Sequence, residues 1–404
     1  MRSIRPARLT REVLAPLRDM ALGLRDEWHG RAWRHPRNVH ALRQVASVAL
    51  AVLACHALGL ADSWWAAISA FTVMQAGWRT TLARAGLRLL GTLAGALLGW
   101  LFGPWLAPHA AAFVLAVGLI AWLCLYGALA CAQGYAWVLG LVTFVMVVCE
   151  ARTVGAATVG MAGAAALADF ARVRVFDVAI GSLACLCVAV AADALGARLG
   201  RRGGQGGTAL PISAVSGSVS GAASGADVAV LRRNAAHLAL HCAFAVAVLA
   251  LACTLTELRH LTQAMVTTIA VLVVPVEGLV SATRRRVAQR MAQRAAGCLL
   301  AIALAAAVLP GVAGRPLAAH VALAAGVWCA AWLQEGAASV RYMALQFGVA
   351  FIMVFVQDPG TLLGEAPALQ RMAGIGVGIA VLALSMGLAA VGRAAWLGRG
   401  RATG

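Results

Sequence analysis

What most constrains this chain is that apolar runs of membrane-crossing length follow one another from about residue 42 to residue 393. A helix needs about 20 apolar residues to cross a hydrocarbon core about 30 Å thick. On that scale twelve spans are predicted. Six lie near 42–60, 62–77, 88–106, 110–129, 134–149 and 175–196; six more lie near 236–255, 261–276, 295–310, 317–333, 341–356 and 372–393. The residue supply excludes a soluble alternative. Residues AVILMFWYC make up 62% of the chain and charged residues 12%, against about 25% charged in a typical soluble domain. The expected fold is therefore an all-α integral membrane protein of about twelve transmembrane helices.

All 33 basic residues are Arg, and the formal charge is +18. These arginines fall between apolar spans, where they read as orientation signals rather than as nucleic-acid contacts. If the N-terminus is cytoplasmic, the inner segments hold 27 arginines and the outer ones 6: Arg152, Arg172, Arg174, Arg259, Arg315 and Arg371. That bias places both termini inside. Residues 1–41 form an Arg-rich cytoplasmic tail with no signal-peptide pattern. Within it Leu9, Val13, Leu14, Leu17 and Met20 share a helix face, as an amphipathic helix on an anionic membrane surface would place them; a solvated tail fits the same residues. The first set of spans occupies 42–198. A Gly/Ser/Ala-rich stretch at 199–231 reads as a flexible cytoplasmic linker. The second set occupies 232–393, and 394–404 is a short cytoplasmic tail.

The two sets match where polar residues interrupt the apolar background. Arg79, Arg84, Arg88 and Gly91 recur 206 residues later as Arg285, Arg290, Arg294 and Gly297. Tyr135, Phe144 and Met146 recur 207 residues later as Tyr342, Phe351 and Met353. Arg174 and Gly181 are echoed by Arg371 and Gly378. An even number of spans per set gives both the same orientation, so two parallel six-helix repeats are expected, an arrangement common in transporters.

The stretch Trp64-Trp65-Ala66-Ala67-Ile68-Ser69-Ala70-Phe71-Thr72-Val73-Met74, running into Arg84, Arg88, Leu89, Leu90, Gly91, Thr92 and Gly95, resembles the fusaric acid resistance and aromatic acid exporter family of bacterial inner-membrane proteins. The resemblance covers about 40–200 well and 232–393 more loosely; the second half lacks the Trp pair and has Cys298 in place of the Thr. It implies efflux of aromatic or amphiphilic carboxylic acids, in some members with a periplasmic adaptor. A related plant group, the aluminium-activated malate transporters, are anion channels. The larger exporters carry a soluble domain between their halves, where this chain has only the linker.

The Arg motif carries the most specific expectation. At helical spacing, positions 84, 88, 91, 95 and 99 form one stripe, so Arg84 and Arg88 continue the face of glycines that permit close helix approach. They are expected to point into the bundle, where a guanidinium can grip a carboxylate with two parallel bonds. Arg290 and Arg294 repeat the arrangement, and two facing clusters would form a positive vestibule for organic anions; topology and lipid contact are the competing roles. Spans two and five of each half read as short, a pointer to a substrate site. There Trp64, Trp65, Gln75, Tyr135 and Tyr342 offer aromatic faces and polar groups for a substrate, or interfacial anchors.

Ionisable groups in spans are scarce, which makes Asp177, Glu277 and His56 the candidates for proton coupling. Glu277 is equally placed to pair with Arg284 or Arg285. The ten cysteines lie in apolar stretches without a CxxC pair and read as packing residues. No phosphate-binding loop, nucleophile with a base, or metal cluster is present in the pattern, so neither an enzyme nor a cofactor is expected. Three function classes follow: a proton-coupled exporter of aromatic or amphiphilic organic acids, a passive organic-anion channel, and a non-transporting membrane protein such as a scaffold. The expected partners are the lipid bilayer and an organic anion, with a homo-oligomer left open.

Overall fold

Backbone groups in lipid have no water to bond, so a chain this apolar closes its hydrogen bonds inside helices. The computed structural model describes residues 6–29, 35–60, 63–157, 161–198, 225–256, 261–274, 279, 283–356 and 372–388, and among them no strand occurs. The helices are α1 (Pro6–His29), α2 (His35–Ala57), α3 (Trp64–Val73), α4 (Trp78–Leu106), α5 (Ala110–Ala130), α6 (Gly134–Ala157) and α7 (Met161–Arg198). They continue as α8 (Gly225–Thr256), α9 (Leu261–Leu272), α10 (Thr283–Val312), α11 (Pro316–Gln334) and α12 (Ala338–Phe355), followed by α13 (Met372–Leu388). Among the described residues, nine helices are long and apolar enough to cross a membrane, while α3, α9 and α13 are shorter. The chain is a multi-pass membrane protein.

Several boundaries differ from the sequence expectation. The second span of each half is indeed short: α3 has 10 residues and α9 has 12, about 15 and 18 Å at 1.5 Å per residue. The fifth spans are not. Helix α6 has 24 residues and α12 has 18, because the turns after Glu150 and before Arg341 continue helically. Helix α7 is longer still, at 38 residues. Arg172 and Arg174, expected in an outer segment, lie inside it. Position 174 escapes the rule that charge marks a loop because its guanidinium is buried against neighbouring helices.

The break after α3 is held by named groups. Met74 leaves the helix at φ −52° and ψ 130°, and Gly77 is extended before α4 begins. The Asp193 carboxylate accepts from the Trp78 backbone N–H at 3.0 Å and pairs with Arg43 at 3.1 Å. A carboxylate at a helix N-terminus satisfies an otherwise orphaned donor and opposes the helix dipole.

Glycines set how closely the helices pack. A Cβ at Gly91 would lie 2.3 Å from Ala136 O, and one at Gly95 would lie 2.2 Å from Gly140 O. Helix α4 therefore touches α6 backbone to backbone. In the second half a Cβ at Gly297 would lie 2.4 Å from Met343 O, joining α10 to α12 in the same way. A third such contact, Gly181 against Ala66 O, ties α7 to α3, and Gly378 against Ala264 O ties α13 to α9. The core is shared between the halves. One cluster joins α5 and α6 with α8 and α9, burying Phe113, Phe144, Leu249 and Met265. A second joins α2 and α3 with α10, α11 and α12, burying Phe71, Phe347 and Phe351.

The second half of α1 packs on the bundle. Helix α1 buries Met20 against Val340 and Met343 of α12, while Leu17 is exposed. A Cβ at Gly23 would lie 2.4 Å from Ser339 Oγ. Glu27 accepts from the Ala337 backbone N–H at 2.8 Å and from Arg37 at 2.5 Å. Glu27 thus satisfies a donor at the start of α12, and among the described side chains of α1 Met20 and Gly23 are buried and Glu27 half-buried.

Candidate functional site

Helix α4 carries Arg84 and Arg88 on the same side as Gly91 and Gly95, so the close approach to α6 draws both arginines inward. Arg88 is buried. Its Nε donates to Ser69 Oγ at 3.1 Å; its Nη1 donates to Thr72 Oγ1 at 3.0 Å and to the Tyr135 hydroxyl at 2.9 Å. The two hydroxyls on α3 are fixed as acceptors, because Ser69 donates to Trp65 O and Thr72 to Ile68 O, both at 2.8 Å. Arg84 lies over the Tyr135 ring, 4.6 Å from its centroid.

The second half builds the counterpart. Arg294 is buried; it donates to Gln346 Oε1 at 2.5 Å and to Thr267 Oγ1 at 3.3 Å. Thr267 in turn donates to Gln263 O at 2.8 Å, which again leaves a lone pair for the guanidinium. Arg290 lies over the Tyr342 ring at 4.4 Å, and the Tyr342 hydroxyl donates to Ala270 O at 3.2 Å. Each cluster is closed by residues of its own half. Arg88 packs against the short α3 and the start of α6, and Arg294 against the short α9 and the middle of α12.

These clusters are electrostatically incomplete. An arginine keeps its charge in a protein, and withdrawing a cation from water is worth several kcal/mol of penalty even after relaxation. The partners of Arg88 and Arg294 are neutral, and among the described residues neither makes an ion pair. The Nε donors of Arg84 and Arg294 are buried without a hydrogen-bond partner. Hydroxyl and amide oxygens offset part of the penalty; an anion would offset much more.

The remaining expected site residues fall in different places. Trp64 and Trp65 sit together at the start of α3, ring centroids 3.9 Å apart. The Trp65 ring carries the Arg174 guanidinium 3.1 Å from its centroid. Gln75 lies in the extended break, where its side-chain amide donates to Met74 O at 2.6 Å, so it belongs to the turn rather than to the arginine cluster. Asp177 is fully buried on α7, in the electrostatic neighbourhood of Cys55 on α2. His56 is exposed in the last turn of α2. Glu277 lies outside the described residues. Sequence reasoning passed over Arg174 as a topological charge. It likewise passed over Ser69 and Thr72, which are indistinguishable from other small polar residues until α4 is set against α3.

No curated protein and no solved structure matches the chain. Residues 50–188, which contain Arg84, Arg88 and every hydroxyl that holds Arg88, match the family described as fusaric acid resistance protein-like. The Trp64–Met74 and Arg84–Gly95 stretches that carry the resemblance lie inside this match, and over residues 50–188 the chain is similar to that family.

Proposed function

We propose that this protein is a secondary transporter that exports aromatic or amphiphilic organic acids across a bacterial inner membrane, driven by the proton gradient. In this reading both termini are cytoplasmic, and the twelve helices α2 to α13 form two parallel six-helix repeats. The matched glycine contacts support the repeat, since Gly91 with Ala136 and Gly297 with Met343 occupy corresponding positions. The contacts between halves also reciprocate: α5 packs on α8, and α11 packs on α2.

The observation that carries the reading is the pair of buried guanidiniums held only by neutral oxygens. A carboxylate entering beside Arg88 or Arg294 takes a two-pronged bond from a donor that is already oriented and desolvated. Asp177 is the carboxylate placed to carry the coupling proton, being fully buried and lying one helical turn from the buried Arg174. The exposed position of His56 argues against a relay there.

The test is benzoate flux in proteoliposomes with and without a pH gradient. Gradient-driven flux that collapses in Asp177→Asn supports coupling. Flux indifferent to the gradient that survives both Asp177→Asn and Glu277→Gln points to a passive channel. Complete absence of organic-anion flux removes the transporter reading.

A further inference from the structure

Where the last turns of α6 and α8 meet the first turns of α5 and α9, two thiols of opposite halves come together. Arg152 marks the corner. It lies over the Phe113 ring near the start of α5, 4.9 Å from its centroid, and donates to Ala107 O at 2.6 Å. About one turn before it on α6 is Cys149, which is buried. The Cys149 thiol hydrogen-bonds to the sulfur of Cys253 on α8, and the hydroxyl of Thr262, the second residue of α9, bonds Cys149. Both cysteines are free, and Cys253 is the more exposed of the two. They share one apolar cluster, Cys149 within it and Cys253 packed against it.

We propose that Cys149 and Cys253 are a redox modification site, closed into a disulfide between the halves by an organic disulfide of the outer compartment. In the orientation given above both lie towards the outer surface, and a bacterial periplasm is an oxidising compartment. Two thiols already in hydrogen-bond contact have only to turn and approach to about 2 Å, the length of an S–S bond. Reactive cysteines characteristically sit beside a cation, and Arg152 is in the neighbourhood of both. Cys253 gives up its proton and attacks one sulfur of the reagent R–S–S–R, releasing R–SH. Cys149 then gives up its proton and attacks the Cys253 sulfur of the mixed disulfide, forming the cross-half bond and releasing the second R–SH. Two thiols are oxidised, one disulfide is reduced, and both protons leave on the released thiols. Cys124 of α5 and Cys242 of α8 are also neighbours. Cys242 is fully buried and lies about 16 Å further from the end of α8 than Cys253, out of reach of a water-soluble reagent.

The consequence for flux rests on the transporter reading and adds regulation to it. Alternating access between parallel repeats is a rocking of one half against the other. A covalent bond from α6 to α8 fixes their outer ends at one spacing, so the oxidised protein stops moving substrate and the reduced protein moves it.

In the experiment, full-length protein in proteoliposomes is treated with oxidised glutathione, blocked with N-ethylmaleimide and digested without reductant for mass spectrometry. The expected product is a Cys149 peptide joined to a Cys253 peptide, absent from Cys149→Ala and from Cys253→Ala. Benzoate flux in the same vesicles is expected to fall at least about tenfold on oxidation and to return with dithiothreitol, while both variants ignore the reagent. Either variant carries the comparison should the other fail to fold. Absence of the joined peptide from treated wild type overturns the site. Joined protein with undiminished flux overturns the lock. Joined peptides in a protein that moves no organic anion, oxidised or reduced, keep the site and remove the transporter reading.

Discussion

At the scale of single residues, the informative contrast is between arginines of the same helix. Arg79, at the start of α4, lies over the ring of its neighbour Trp78, 5.5 Å from the centroid, and is exposed. Arg88, nine residues on, is buried and holds three hydroxyls of two other helices. Arg88→Gln keeps hydrogen-bonding capacity and removes the charge. It is expected to reduce organic-anion flux at least about tenfold, equivalent to about 1.4 kcal/mol, and Arg294→Gln is expected to do the same. Arg79→Gln is expected to leave initial rates within about twofold of wild type, the usual scale for an exposed surface change. Equal rates in all three variants, measured at matched protein amounts, would assign the buried arginines to structure alone.

At the scale of elements, packing turns on where a methyl group can go. Gly86 and Gly95 are both on α4, nine residues apart. A Cβ at Gly86 meets nothing within 4 Å, whereas one at Gly95 runs into Gly140 O of α6. Gly86→Ala is expected to be neutral or stabilising by up to about 1 kcal/mol, the helix-propensity difference. Gly95→Ala is expected to destabilise by about 1–3 kcal/mol through overpacking and to push Arg88 away from Tyr135. Thermal unfolding in detergent checks the first effect. A matched loss of anion binding in Gly95→Ala checks that the glycine seam places the arginine.

At the scale of the whole molecule, the halves are joined on the side of α1 by charges from both. Arg37 lies over the Trp332 ring, 5.7 Å from its centroid. His40 comes within 3.8 Å of Glu335, in the short connection between α11 and α12. Burial raises the Glu335 carboxyl above the usual carboxylate range, and Arg341 and Arg37 oppose that shift. A raised folded-state value means the folded protein holds this proton more tightly than the unfolded chain. Its stabilising contribution is full below the ordinary carboxylate value and is lost as pH rises through the folded one. Wild type is therefore expected to lose stability relative to Glu335→Gln as pH climbs above the ordinary carboxylate value. Melting curves of both proteins as pH rises through and above that value test it; parallel curves would show that the arginines cancel the effect of burial, and an opposite trend that they outweigh it.

Much of this protein is determined locally and was legible in the order of its residues. Apolar runs near 20 residues specify membrane helices whatever surrounds them, because an unbonded peptide group in lipid is costly. The Arg-to-Gly spacing on α4 fixes a common face, because helical geometry puts residues three and four apart side by side. The family match over 50–188 likewise rests on sequence alone. Other features came only from the tertiary structure. Whether Arg88 faces water or hydroxyls depends on α3 ending at Val73 and on the Gly91 seam drawing α6 against it. Whether Arg174 marks a loop or a buried contact depends on α7 running unbroken past Trp65. Length and hydropathy are sums along the chain, whereas the environment of a charge is set by helices distant in sequence, as Trp65 is from Arg174. The physical reason is that a buried cation is tolerated only where other elements bring oxygens or aromatic faces to it.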